Sequence, residues 1–438
     1  MVKTIGIVAE FNPFHNGHSY LIEKAKEITK ADNVVVVMSG NYVQRGEPAF
    51  MDKFSRTITA LENGVDLVIE LPFCYASSSA NYFATGAISL LNSLGIVSNL
   101  CFGCEYDNLD LLNSIADVIV DEDTVYSDAL QSYLKTGMSF AKSRENAIIK
   151  SLALRGVMME STSLSNILSK PNTILAIEYL IALKNTDSLM VPVAIKRENN
   201  NTSQDMIHSS LTSAHSIRQL FYGKSVYNFN NIKTSLLSSV PENSIEMLES
   251  EYKKTYPVDI NDYSAIIGNS LIKAKYDSDN IDDLFDSTID ISNRLLNNLD
   301  HFIDAKAFIN KVNSPTYTSS RIQRILLYNL FNYKKEDFFN FKENGYVFYI
   351  RVLGFNKEKE RLLTEINDNS DLPIITKIST SLSSLNPYGK KMLELNMFAD
   401  EVYRMITMNK YNINIPNEHK QGVIVASEFD IKPDTDLV

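Results

Sequence analysis

At 438 residues the chain has room for two or three domains of the usual size, about 100–200 residues each. Hydrophobic residues at 44% and charged residues at 22% exclude a largely disordered chain, and no run approaches the ~18 apolar residues of a membrane span. The formal net charge of −11 disfavours nucleic acid at face value, yet 13 Asp/Glu against 5 Lys/Arg over 240–300 give way to 11 Lys/Arg against 6 Asp/Glu over 301–361, so an acidic total is compatible with a basic face.

The chain opens with one Lys and a short apolar run that breaks at Asn12-Pro13, too short for a secretory signal, and the expected location is the cytoplasm. Val- and Ile-rich runs at 4–9, 33–38, 66–71 and 189–196 have the length of buried strands, and 99–102 reads as a further strand. Helical patterns lie between them at 18–28, 53–63 and 80–94. This alternation predicts an α/β domain over residues 1–230, a Rossmann-like parallel sheet with its ligand site at the C-terminal strand ends. The three cysteines cannot build a disulfide framework, and Cys101-x-x-Cys104 lacks the partners of a zinc site, so all three read as small core residues. A boundary is expected in the polar stretch 227–233, followed by a mostly helical region over 231–438, with a helix over 314–331 and a polar tail from about residue 414.

The chemistry is concentrated where the first strand ends. Glu10-Phe11-Asn12-Pro13-Phe14-His15-Asn16-Gly17-His18 runs into a helix, forming H-x-G-H at a strand-to-helix turn. A helix N-terminus presents unpaired amides and a positive dipole end, a ready anion site. Gly17 lets a nucleotide approach the backbone, and two imidazoles can donate to phosphate oxygens as charge develops on them.

The stretch GIVAEFNPFHNGHSYLIEKAK at 6–26 resembles the start of the bacterial tRNA(Met) cytidine acetate ligase family, within the HxGH nucleotidyltransferase superfamily. MSGNYVQRGEPAFMDKFSR at 38–56, ALENGVDLVIELPF at 60–73 and FGCE at 102–105 follow in the family's order. So do SKPNTILAIEYL at 169–180, PVAIKR at 192–197, TSAHSIR at 212–218, SSRIQRILLYNLF at 319–331 and YIRVLGFN at 349–356. The resemblance implies a two-step reaction: ATP and acetate give acetyladenylate and pyrophosphate, then the acetyl group passes to N4 of the wobble cytidine of elongator tRNA(Met). It places ATP contacts on Ile7, Val8, Ala9, Glu10, Phe11, Asn12, Pro13, Phe14, His15, Asn16, Gly17, His18, Ser19 and Tyr20, and on Gly103, Asn172 and Arg197. His15, His18 and Arg197 would stabilise the transition state, and Mg²⁺ would neutralise the departing pyrophosphate. FGCE carries Cys where a smaller residue is usual, and ENNNTSQD follows Arg197 where a glycine turn is usual.

Further positions carry both a plain and a functional reading. Ser213 and Arg218 resemble a second phosphate-binding signature, though Ser213 would serve equally as a helix N-cap. Ser39, Asn41, Gln44 and Arg45 follow the second strand on the ligand edge and are candidates for an acetate or cytosine pocket. Arg321, Arg324, Lys334, Lys335 and Arg351, with Tyr317 or Tyr328 for stacking, are either a solvated face or a tRNA surface. H-x-G-H alone also fits a small-molecule adenylyltransferase of cofactor metabolism, or an RNA-binding protein that has lost catalysis.

Overall fold

The Val- and Ile-rich runs form the centre of one sheet in the computed structural model, which describes residues 2–121, 123–157, 159–197, 213–222, 228–276 and 280–427. The strands are β1 (Thr4–Ala9), β2 (Asn33–Ser39), β3 (Tyr42–Val43), β4 (Glu47–Pro48), β5 (Leu67–Leu71), β6 (Val97–Cys104), β7 (Val191–Lys196), β8 (Ile350–Asn356), β9 (Ile374–Ile375) and β10 (Ile424–Ala426). The main sheet runs β10-β8-β5-β2-β1-β6-β7, with β9 on β8, while β3 and β4 form a separate hairpin. From β1 the chain steps outward through β2 and β5 on one side and through β6 and β7 on the other. The order therefore reverses at β1, the place where a doubly wound sheet opens a crevice at its C-terminal edge.

Burial on both faces explains the composition of these strands. All seven residues of β2 are buried. Val34 and Val36 pack with Ile5, Ile7, Cys101 and Ile195 on one face, while Val35 and Val37 pack with Leu67, Ile69, Leu100 and Phe102 on the other. The helices Asn16–Thr29 and Lys53–Glu62 cover the first face, and Ala80–Ser93 and Pro171–Asn185 the second. Cys101 and Cys104 are free and buried on opposite faces, as alternation along β6 demands.

The expected boundary near 230 does not separate two cores. The region after it is mostly helical, but β8 crosses back to pair antiparallel with β5, Leu67 opposite Phe355 and Val68 opposite Gly354, and β10 extends the sheet from there. Side chains from both halves share one core. The strand within 349–356 carries Arg351 in an otherwise mostly apolar run, and its partner lies almost 300 residues upstream, which no local pattern reveals. The segment 198–205 after Arg197, part of the boundary stretch and the end of the tail lie outside the described residues.

Polar side chains knit the two halves together at the C-terminal edge of the sheet. Lys53 is fully buried; its Nζ donates to Glu70 Oε1 at 2.8 Å and to Asp400 Oδ2 at 2.6 Å, and pairs with Glu418 Oε1 at 2.8 Å. Arg351, 1% exposed, lies 3.5 Å from the other Glu418 oxygen. It is thus an interior residue and not part of a tRNA-facing surface. Asn396 donates to Glu70 and Asp400, and Asn41 donates to Asp400 at 2.8 Å. Burial alone would lower the Lys53 pKa; Asp400, Glu418 and Glu70 reverse this and hold it above its ordinary value. Burial pushes the Asp400 carboxyl well up, with Glu70 and Glu418 adding to the effect.

Removing the central cation of such a cluster strands buried carboxylates. Lys53→Met is expected to cost about 3–5 kcal/mol, read as a lower denaturant midpoint at pH 7. A loss below about 1 kcal/mol would show the cluster to be dispensable.

Candidate functional site

The loop after β1 is held from every side. Phe11 adopts φ 45°, a conformation sparsely populated by aromatic residues, and the Asn12-Pro13 peptide is cis. Burial holds the loop in this shape: Phe11 and Phe14 are each 1% exposed, with ring centroids 4.9 Å apart. Asn12 is 3% exposed; its side-chain oxygen accepts from the Phe50 amide at 2.8 Å, and its carbonyl accepts from Arg218 Nη1 at 2.6 Å. The Asn16 amide donates to the Ser239 carbonyl at 2.8 Å. Ile7, Phe11 and Phe14 thus have their side chains in the core, which leaves only their backbone for a ligand.

His15 caps the helix Asn16–Thr29. Its Nδ1 accepts from the Gly17 amide at 3.1 Å, while the His15 amide donates to His18 Nδ1 at 3.2 Å, so each ring closes half of a reciprocal capping box. The rings stack with centroids 3.7 Å apart, and Phe11 and Phe14 wall in His18 at 4.9 and 5.4 Å. A Cβ on Gly17 would stand 2.9 Å from His15 Cε1, so the glycine is required by the capping imidazole as well as by any approaching ligand.

These contacts set the protonation state. Burial, then the Arg197 charge, lowers the His15 pKa to about 3. Burial, the neighbouring His15 and Arg197 hold His18 well below its ordinary value. Both rings are neutral near pH 7, and both Nδ1 atoms already accept hydrogen bonds. Each ring's one proton therefore sits on Nε2, and the pair presents two N–H donors beside a helix N-terminus.

Arg197 follows β7, its amide donating to the Cys104 carbonyl at 2.9 Å and its Cγ lying 3.5 Å from the Cβ position of Gly103. Its guanidinium has no ion-pair partner among the described residues, and its charge acts on both histidines. Asn172 reaches the same edge by way of Glu105, which caps the helix Pro171–Asn185. The Glu105 carboxylate accepts from Asn172 Nδ2 at 2.7 Å, from the Thr173 amide at 2.8 Å and from Thr173 Oγ1 at 3.0 Å. Burial works to raise the Glu105 pKa, but the hydrogen bonds from Asn172 and Thr173 prevail and lower it.

Arg56 was not foreseen from the sequence. Only 1% exposed, it donates to the carbonyls of Met51 at 3.0 Å, Glu10 at 2.6 Å and Ser39 at 3.0 Å, and also to that of Gly40. It therefore ties the exits of β1 and β2 together. The only available signal was its place at the end of MSGNYVQRGEPAFMDKFSR. Glu10 is half-buried and its Oε1 accepts from the Gln44 amide at 2.8 Å. Burial raises its pKa, opposed by the Gln44 hydrogen bond and by Arg218, Arg56 and Arg45.

The remaining candidates divide. Arg45 is exposed at the tip of the β3–β4 hairpin, whereas Gln44 Nε2 donates to the Ser78 carbonyl at 3.0 Å. Asn41 is 6% exposed, with Asp400 on its nitrogen and the Lys53 amide on its oxygen, so its polar atoms are engaged in the buried cluster. Ser39 is fully buried and supplies a carbonyl to Arg56. Ser213 takes the N-cap reading, accepting from the Ser216 amide at 3.2 Å.

The C-terminal basic set is not a solvated face. Arg324 is 7% exposed and pairs with Asp286 at 3.2 Å beneath Gly46, whose φ of 77° and missing Cβ allow the Arg324 backbone to approach. Arg321 pairs with the same Asp286 at 3.2 Å, and Lys335 Nζ donates to the Asp282 carbonyl. Tyr328 is buried, donating to the Ser77 carbonyl. Arg321, Lys334 and Lys335 keep partial exposure.

Comparison with known proteins places these features in context. Residues 2–418 match the family described as HIGH Nucleotidyl Transferase. The tRNA(Met) cytidine acetate ligase of Thermoanaerobacter sp. (strain X514) is 39% identical over 406 residues, covering 92% of this chain and 96% of the relative. That of Acetivibrio thermocellus is 36% identical over 425 residues, covering 97% of this chain and all of the relative. Among solved structures, Thermotoga maritima TmcAL bound with alpha-thio ATP is similar at a TM-score of 0.86 and 28% identity, over 97% of this chain and 100% of that one. Its apo form gives a TM-score of 0.88 at the same identity.

The depressed histidine pKa has a consequence for stability. Between about pH 3 and 6.5 the unfolded chain binds protons at His15 that the native state does not, so stability rises with pH through that window and no longer changes from this source above it. An NMR titration is expected to find the His15 Cε1–H resonance unmoved from pH 8 to 5. An ordinary inflection near 6.5 would contradict the neutral assignment.

Proposed function

The chain belongs to the tRNA(Met) cytidine acetate ligase family of HIGH nucleotidyl transferases, and from that membership we propose how its ATP-dependent ligation of acetate to tRNA is carried out. The observation that carries the reading is the pair of neutral imidazoles at the N-terminus of Asn16–Thr29, whose Nε2–H groups have no partner among the described residues and which feel the charge of Arg197. The triphosphate lies across this helix end. An acetate oxygen attacks the α-phosphorus, the bond to the β-phosphate bridge breaks, and pyrophosphate departs; Mg²⁺ brought in with the ATP substrate would neutralise its charge. His15, His18 and Arg197 donate to oxygens whose negative charge grows in the transition state.

Fixed donors suit this step because attack by a carboxylate needs no proton removed. Gly103 and Asn172, with Glu105 holding the Asn172 amide, line the adenosine side of the crevice. Arg218 holds the β1 exit loop through the Asn12 carbonyl and sits within reach of the outer phosphates. In the second step the cytidine N4 attacks the acetyl carbon and AMP leaves. Arg45 at the hairpin tip, with Arg321, Lys334 and Lys335 further along, supplies positive charge for the tRNA backbone. No helix among the described residues is long and apolar enough to cross a membrane.

Relatives that cover nearly the whole chain favour the ligase over a small-molecule adenylyltransferase. Exchange of labelled pyrophosphate into ATP should depend on acetate, and His18→Ala should lower it by roughly 10²–10³-fold, the usual loss for one oxyanion-type donor. Exchange at full rate without acetate would overturn this reading.

A further inference from the structure

Glu10 stands at the exit of β1 on the opposite side of the strand from the histidines. Ile5, Ile7, Ala9 and Phe11 point toward the face covered by Asn16–Thr29, together with Ile195 of the strand that leads to Arg197. Val8 points to the other face, and Glu10 follows in that alternation, where its charge is felt by Tyr179 of the helix Pro171–Asn185. One carboxylate oxygen is fixed by the Gln44 amide at 2.8 Å; the other has no hydrogen-bond partner among the described residues.

The position has a stereochemical meaning that rests on the ligase reading above. In phosphoryl-type displacement the attacking and leaving oxygens lie roughly in line. With pyrophosphate held on the histidine side by the helix end, acetate must enter from the other side of the α-phosphorus. The acetyl group of the adenylate is then left on the side that Glu10 occupies, and the acceptor cytidine has to come there.

We propose that Glu10 is the residue that receives the cytidine: its free oxygen accepts a hydrogen bond from the exocyclic N4 amine and takes the proton released during acetyl transfer. A carboxylate is the natural partner of that amine, which in cytosine is a donor only. As the N4–carbonyl bond forms and the carbonyl–phosphate oxygen bond breaks, one N4 proton moves to Glu10, its bonding pair stays on nitrogen as the amide forms, and AMP leaves with the phosphate charge. Glu10 then returns the proton to water. The charges of Arg218, Arg56 and Arg45 act on the carboxylate and offset its repulsion of the incoming acetate, and the carboxylate in turn acts on Tyr179 of the helix behind. Burial raises the carboxyl pKa from its ordinary value, toward the range in which a carboxylate is a useful base.

The two half-reactions separate this role from a merely structural one. Acetyladenylate made without tRNA is trapped with hydroxylamine as acetohydroxamate, and acetyl transfer is followed separately as N4-acetylcytidine in a single turnover with tRNA(Met). Wild-type protein that gives no acetate-dependent hydroxamate would refute the ligase reading itself. For Glu10→Gln, which keeps the shape and the acceptor for Gln44, transfer is expected to fall by about 10²-fold or more beyond any fall in trapping. Its transfer rate should also lose the rise with pH that the wild type shows as the carboxyl ionises. Glu10→Asp should recover part of the transfer. Equal losses in both half-reactions for Gln and Asp alike, or transfer by Glu10→Gln at the wild-type rate, would overturn the proposal.

Discussion

Two buried cations one helical turn apart organise the catalytic edge of this protein. Lys53 and Arg56 both lie in the first turns of the helix Lys53–Glu62, yet they face different problems. Arg56 makes no ion pair among the described residues and spends its donors on the carbonyls of Glu10, Ser39, Gly40 and Met51, binding the exits of β1 and β2. Lys53 reaches the exit of β5 through Glu70 and the C-terminal half through Asp400 and Glu418. A guanidinium suits the first task because its planar fork meets several acceptors at once, and a compact ammonium suits the second. Between them the two side chains hold three strand ends in register.

The consequence is that the crevice cannot be formed by the first 230 residues alone. Asp400 and Glu418 complete the Lys53 site, Arg324 lies against the hairpin that carries Gln44, and β8 closes the sheet beside β5. Three arginines of the C-terminal half take part in this union. Arg351 and Arg324 are interior, and Arg321 shares Asp286 with Arg324. Their positive charge balances the buried Glu418 and the half-buried Asp286, a reason for these three arginines that does not involve RNA.

The histidine pair shows how a site is prepared for a charge that is not yet there. Both rings are desolvated, His18 by the Phe11 and Phe14 walls, and both are repelled by Arg197, so neither is charged, and each is fixed in orientation by an amide. Preorganised neutral donors bind developing negative charge without first forming an ion pair with some other anion. The strained Phe11 backbone is part of the same arrangement, since it turns the chain so that Asn12 can be gripped by Phe50 and Arg218.

The sequence by itself determined the local elements and the motif. The β1 run at 4–9 matches its strand residue for residue, the helix starts of 53 and 80 are met, and His15, Gly17 and His18 announce the turn, because apolar periodicity and capping chemistry are written in near neighbours. Spacing alone made Arg197 and Arg218 readable as strand-exit and helix residues, and the family resemblance added phosphate roles; folding carries them to the β1 loop. The tertiary structure alone decided that Asn41, Arg324 and Arg351 are interior, that Glu105 and Arg56 support the site, and that β8 joins the sheet. A charged residue reads as surface in a sequence because burial without a partner is costly. Its partners here lie tens to hundreds of residues away, and only the packed chain brings them into contact.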